Sequence, residues 1–148
     1  MNEPEDAPAL VGINHVALEV GDVEEALAFL GAFGRVTLRG RGPGRAFVDM
    51  GDQFLALTET AAPERRDGRH FGLVVSDKAR ALALAEAAGA EVSGNRVRDP
   101  WGNLYEIVDY ADVQFSKTPG VLSGMGLGDL SKTAEARRQL AEKGLGEG

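Results

Sequence analysis

From Ile13 to Val20 polar and apolar residues alternate, which predicts a strand with Ile13, His15, Ala17 and Glu19 on one face and Asn14, Val16, Leu18 and Val20 on the other. The rhythm then changes. Val23, Ala26, Leu27 and Leu30 recur at helical spacing, Asp22 stands at the cap position with Glu25 three places on, and Gly34 can close the helix. Three short strands are expected next, at 35–39, 45–50 and 53–59, separated by turns at Gly40–Gly44 and Gly51–Asp52.

The same pattern recurs further along. GINHVALEVGDVEEALAFLGAFG, from Gly12, lays over GRHFGLVVSDKARALALAEAAGA, from Gly68, pairing His15 with His70 and Asp22 with Asp77. FVDMGDQFLALTE then lays over VRDPWGNLYEIVD, pairing Gly51 with Gly102. The second copy predicts a strand at 70–75, a helix from Asp77 to about Ala88 stopped at Gly89, and strands near 91–93, 95–99 and 103–109. The chain therefore reads as α+β, with a β-α-β-β-β unit repeated in tandem. Each copy is too small to bury its own sheet face, so the two must share a core or pair with another chain. Residues 1–10 read as an acidic, proline-containing leader, 11–110 as the duplicated domain (copy one 11–60, copy two 68–110), and 111–148 as a loop followed by a helix. Ser131 or Thr133 can cap that helix, which runs to about Lys143 with Gly144 as its stop. Its polar composition suits either docking or a loose surface position.

The length of 148 residues fits one compact domain, and the absence of cysteine excludes disulfide scaffolding, thiolate zinc sites and a cysteine nucleophile. Sixteen Lys and Arg against 23 Asp and Glu give a net charge of −7, which argues against nucleic acid and anionic lipid as partners. No stretch approaches the length of a membrane span and the start has no secretory pattern, so a cytoplasmic protein acting on a small molecule is expected.

Its only two histidines, His15 and His70, occupy matching positions of the two copies. Symmetrically placed strands would bring their side chains towards one spot. Glu106 lies among Tyr105, Ile107 and Val108, where an unpaired carboxylate is costly. Pairing with Arg96 or Arg98 would account for it. A metal shared by His15, His70 and Glu106 would account for all three residues, since two imidazoles and a carboxylate with open positions suit Fe(II) and other divalent ions. Trp101, beside the Asp99–Pro100 turn, has a place either in packing or at a cleft mouth.

With INHVALEV, GRHFGLVV and DPWGNLYEIVDY in a duplicated βαβββ frame, residues 11–110 resemble the vicinal oxygen chelate superfamily. That superfamily includes glyoxalases, bleomycin-resistance proteins, extradiol dioxygenases and fosfomycin-resistance enzymes. The resemblance implies an open eight-stranded half-barrel around a divalent metal (Fe2+, Mn2+, Ni2+ or Zn2+) and a homodimer whose site lies within one chain or between two. It carries the first-strand ligands onto His15 and His70 and a last-strand ligand onto Glu106. Aligning Gly51 with Gly102 puts Leu55 at the fourth ligand position, where Gln53 or Glu59 would serve only after a register shift. The ligand set is thus three rather than four, which tilts the expectation from glyoxalase-type lyase or isomerase chemistry towards dioxygenase-like chemistry. A fosfomycin-type transferase would find Ala17 in place of its phosphonate-binding hydroxyl and would need a cationic pocket from Arg39, Arg41, Arg45, Arg96 or Arg98. A non-catalytic drug-binding protein of the bleomycin-resistance type is the reading from another class.

Overall fold

A computed structural model describes Pro8 and residues 13–63 and 69–146. The expected leader, Pro8 apart, and the Gly68 end of the second copy lie outside the described residues.

The first copy is β1 (His15–Val20), α1 (Val23–Phe33), β2 (Leu38–Gly42), β3 (Arg45–Asp49) and β4 (Phe54–Glu59), and its sheet has the order β1-β4-β3-β2. The second is β5 (Phe71–Val75), α2 (Lys78–Ala87), β6 (Glu91–Ser93), β7 (Arg96–Arg98) and β8 (Leu104–Asp109), in the matching order β5-β8-β7-β6. The outer strand of each sheet runs parallel to the last strand of its own unit, because the helix between them acts as the crossover. This is the expected tandem βαβββ architecture.

Both helices start for the same local reasons. The Asp22 carboxylate accepts from the Glu25 amide at 2.8 Å and that of Asp77 from the Arg80 amide at 3.0 Å. A second carboxylate then reaches each helix from the end of the unit's last strand, Glu59 to the Val23 amide and Asp109 to the Lys78 amide, both at 2.9 Å. Glu59 is thereby committed to a helix end rather than to a site. Before β3 the first copy departs from expectation. β2 lies at 38–42 instead of 35–39, because Gly44 adopts φ +68° and closes a tight turn after the Gly42–Arg45 pair.

The sheets bury Leu18, Val20, Leu55, Leu57, Val97, Tyr105 and Ile107 against the helices. Full burial of a Leu or Ile of this kind contributes about 1.5–3 kcal/mol. The two copies share this core. Phe29 and Phe33 of α1 approach Tyr105 of β8 with ring centroids 5.9 and 6.4 Å apart. Asn103 also donates from Nδ2 to the Glu19 carbonyl at 2.8 Å, tying the start of β8 to β1. Trp101 packs: a Cβ on Gly21, in the β1–α1 turn, would stand 2.3 Å from its Nε1.

The tail holds more structure than its glycine-rich sequence suggests. Thr118 caps a short helix α3 (Pro119–Gly124), with Pro119 pre-set for the first turn. Thr133, not Ser131, caps α4 (Ala134–Glu142), which docks through Ala136 and Leu140 rather than lying loose. Lys132 holds the intervening chain, donating to the carbonyls of Tyr110 at 2.5 Å, Val113 at 2.9 Å and Phe115, with its ammonium 3.5 Å from the Tyr110 ring centroid. Burial lowers the Lys132 pKa, and the nearby Asp109 carboxylate opposes that shift.

α3 seats on the β3–β4 turn. Gly51 has φ +82°, and a Cβ there would lie 2.6 Å from the Met125 sulfur. Lys117 pairs with Asp52 on the same turn, and this contact lowers the carboxyl pKa of Asp52. Gly51→Ala is therefore expected to cost about 1–3 kcal/mol through backbone strain and crowding. Hydrogen exchange should show the loss concentrated in α3, whereas uniform protection across the chain would contradict the docking.

Candidate metal centre

Because strand side chains alternate, each sheet has a helix-covered face and an open face. On β1 the open face carries His15, Ala17 and Glu19, all exposed, while Val16, Leu18 and Val20 turn inward. On β8 it carries Leu104, Glu106 and Val108, with Tyr105 and Ile107 inward. The face expected for His15 is thus observed.

His70 immediately precedes β5, and its Nε2 lies 3.6 Å from Glu106 Oε2. Both side chains are about one-third exposed, at 36% and 33%. Arg96 sits directly across from Glu106 in the β7–β8 ladder, yet no ion pair joins them. Arg98 instead donates to the Gly102 carbonyl at 3.1 Å and meets Glu91 at 3.8 Å. The histidine is therefore the group that faces the carboxylate. At 3.6 Å the contact is too long for a hydrogen bond. Two donors on one divalent ion, each at about 2.1 Å from it, stand at most about 4.2 Å apart, so the spacing and chemistry of this pair fit such an ion.

His15 lies elsewhere on the open surface. Its Nδ1 is 2.9 Å from the Asn14 side-chain oxygen, and its ring stacks on Phe54 with centroids 4.7 Å apart and planes 13° from parallel. A proton on Nδ1 shared with that oxygen leaves Nε2 with a free lone pair, the form in which imidazole binds metal. Within one chain, no three His, Asp or Glu side chains among the described residues come together as a metal cluster. The chain thus brings His70 and Glu106 together and leaves His15 apart from them.

The fourth position needs a correction. Gly51 and Gly102 both have positive φ, at +82° and +94°, but they lie in turns of different length. Met50 bonds Gln53 across two residues, whereas Asp99 bonds Asn103 across three. Strand register then pairs Asp49 with Phe54 and Arg98 with Leu104, so Ala56, not Leu55, is the equivalent of Glu106. Leu55 is in the core, 2% exposed. Gln53 donates to the Ile13 carbonyl at 3.0 Å, and with Glu59 at a helix end neither supplies a substitute ligand.

The DPWGN turn is a structural device. Buried Asp99 accepts from the Trp101 amide at 3.0 Å, from the Asn103 amide and side chain at 2.8 Å each, and from the Tyr105 hydroxyl at 3.5 Å. Burial raises its pKa against the effect of those donors, and burial beside this carboxylate raises that of Tyr105 well above the usual range. An open cleft of about 230 Å3 separates β1 from the start of β5 and β8, with Ala17, Glu19, His70 and Asn103 on its walls.

Residues 12–119 match the model of the Glyoxalase/Bleomycin resistance protein/Dioxygenase superfamily. The chain belongs to this superfamily. Solved structures of similar fold include the genomically encoded fosfomycin resistance protein FosX from Listeria monocytogenes, complexed with Mn(II) and sulfate. It is 15% identical, with a TM-score of 0.59 over 79% of this chain and 99% of that one. A putative glyoxalase family protein from Bacillus anthracis is 19% identical, with a TM-score of 0.57 over 70% and 98% of the two chains. An integron cassette protein from V. cholerae gives 20% and 0.56, again over 70% and 98%. No curated protein matches the chain. Among its described residues no helix of this superfamily member is long and apolar enough to cross a membrane.

Sequence reasoning singled out the three candidate ligands but missed Phe54 and Asn14, which fix the ring of His15. Only strand register could have found Phe54, since it lies 39 positions away yet is paired with His15 across β1 and β4.

Proposed function

We propose that this protein is a divalent-metal-dependent enzyme of the glyoxalase superfamily, working as a homodimer on a small substrate that presents two adjacent oxygens. His70 and Glu106 of one chain and His15 of a second copy would hold the ion. The His70–Glu106 pair at 3.6 Å on an open face carries this reading, supported by the lone pair left on His15. The Mn(II) complexes of FosX, similar in fold, are in keeping with such an ion.

When bound, the ion supplies Lewis acidity to the two substrate oxygens and, if it is iron, redox capacity. The protein's own contribution is negative as much as positive. Ala56 at the fourth position brings no carboxylate to move a proton between adjacent carbons, which disfavours glyoxalase-type isomerisation and favours dioxygenase-like chemistry. Asn14 keeps the His15 ring in one tautomer, and Phe54 limits its rotation.

The two-chain site has a direct test. His15→Ala and Glu106→Ala subunits are each expected to lose Mn(II) binding alone, and mixing them should restore one site per mixed dimer, half the wild-type complement, because one of the two composite sites is then intact. No restoration on mixing of subunits that do exchange would overturn the two-chain site. Absence of any stabilisation of the wild type by Mn(II), Fe(II) or Ni(II) would favour the non-catalytic drug-binding reading instead.

A further inference from the structure

Three methionine thioethers are the only sulfur in this cysteine-free chain, so methionine is where a peroxide reacts. Met50 packs against the main core. Met125 instead caps the C-terminal end of α3 and is half-buried where that helix seats on the β3–β4 turn. Its sulfur fills the space that a side chain on residue 51 would take, with a Val121 methyl beside it. A Cβ on Gly51 would stand 2.6 Å from the one and 3.1 Å from the other. The superfamily match ends at residue 119, so α3 after Pro119, and all of α4, lie beyond it.

α3 depends on this seat. It has six residues, of which Leu122 alone is buried, and a helix so short has little stability of its own. The chain is anchored on both sides of it. Before α3, Lys117 pairs with Asp52, and its amide donates to the Tyr110 hydroxyl at 3.3 Å. After α3, the Thr133 amide donates to the Ala111 carbonyl at 2.8 Å, beside the carbonyls that hold Lys132. The segment between these anchors can leave the turn without unfolding either sheet.

We propose that Met125 is an oxidation site, a thioether latch through which a peroxide releases α3 from the first unit. A sulfur lone pair attacks one peroxide oxygen, and an S–O bond forms as the O–O bond breaks. The proton of the transferred oxygen passes to the departing hydroxide, which leaves as water. Sulfur is thereby oxidised by two electrons and the peroxide reduced by two. The sulfoxide is polar and needs hydrogen-bond donors. The Gly51 amide at the seat already donates to Asp49 Oδ2 at 3.2 Å, and on the glycine side of the sulfur there is no room for another atom. The oxidised side chain therefore finds its donors in water, with α3 unseated. A methionine sulfoxide reductase, which passes the oxygen to water and oxidises a dithiol, resets the latch. The proposal uses neither His15, His70 and Glu106 nor a metal, and it stands apart from the metal reading.

The test is hydrogen peroxide added to the full chain in the presence of a chelator, read by peptide mass spectrometry and hydrogen exchange. Met125 is expected to gain an oxygen at least about threefold faster than Met50, because the short helix opens more readily than the core. The Leu122, Met125 and Leu127 amides close the turns of α3 on the carbonyls of Thr118, Val121 and Leu122. Their exchange should rise at least about tenfold on oxidation, while that of β3 and β4 stays within about twofold. Methionine sulfoxide reductases with dithiothreitol should reverse the change. Met125→Gln should exchange fast without peroxide, Met125→Leu should stay seated and unresponsive, and Met50→Leu should respond as the wild type does. Equal oxidation of Met50 and Met125 overturns the proposal, as does α3 protection that is unchanged in the sulfoxide or absent before oxidation. Should leucine fail to seat at position 125, Met125→Gln decides, and α3 exchange equal to that of the unoxidised wild type overturns the proposal.

Discussion

Replacing Glu106 by Ala is expected to lower Mn(II) affinity by about 100-fold or more while moving the stability of the metal-free protein by no more than about 1 kcal/mol. In the proposed site the carboxylate, 3.6 Å from His70, would be one of two donors from this chain and would supply the negative charge of the set. Removing even an outer partner of a metal ligand costs about 10–100-fold, so loss of a ligand should reach the top of that range. Stability changes little because the side chain is one-third exposed and the β8 residues that face the core are its neighbours Tyr105 and Ile107. Titration calorimetry with thermal unfolding of the metal-free protein reads both quantities. Unchanged Mn(II) affinity would remove Glu106 from the site.

Asp99→Ala is expected to produce the largest loss of stability, about 3 kcal/mol, from the net loss of about 1 kcal/mol for each well-formed buried bond. The substitution strands the Trp101 and Asn103 amides and the Asn103 side-chain amide, all of which now donate to one carboxylate. For a domain of this size such a loss lowers Tm by about 6–12 °C. Asp99→Asn should cost less, since one oxygen remains for the two backbone amides. Its comparison with wild type also has a pH signature. Burial raises the folded-state pKa of Asp99 above 3.8, so the folded chain keeps this proton where the unfolded chain has lost it. Wild-type stability relative to Asp99→Asn should therefore decline as pH rises from just below 4 through that raised value. A difference independent of pH would show that Asp99 does not titrate as its burial implies.

Much of this molecule is legible in its residues, for identifiable reasons. The duplication, the caps at Asp22 and Asp77 and the alternation of β1 are local signals, and each appears in the structure as expected. α3 is not legible, because a segment as glycine-rich as residues 119–128 reads as loop until Thr118 and Pro119 are seen to start a turn that Gly51 has room to receive. The candidate ligands stand out as residue types, but their relation does not. Whether His15 meets His70 and Glu106 depends on how whole units pack, and no local pattern encodes that.

The three-residue turn after Asp99, against two after Met50, has an effect out of proportion to its size. Along a strand, adding one position exchanges the two sides, so the parity of a hairpin decides which residue of the final strand looks towards solvent. A duplicated gene that gains or loses one codon at such a bend swaps an acidic side chain for its greasy neighbour without touching either. Which residue of such a final strand faces the open side can thus change by insertion as well as by substitution.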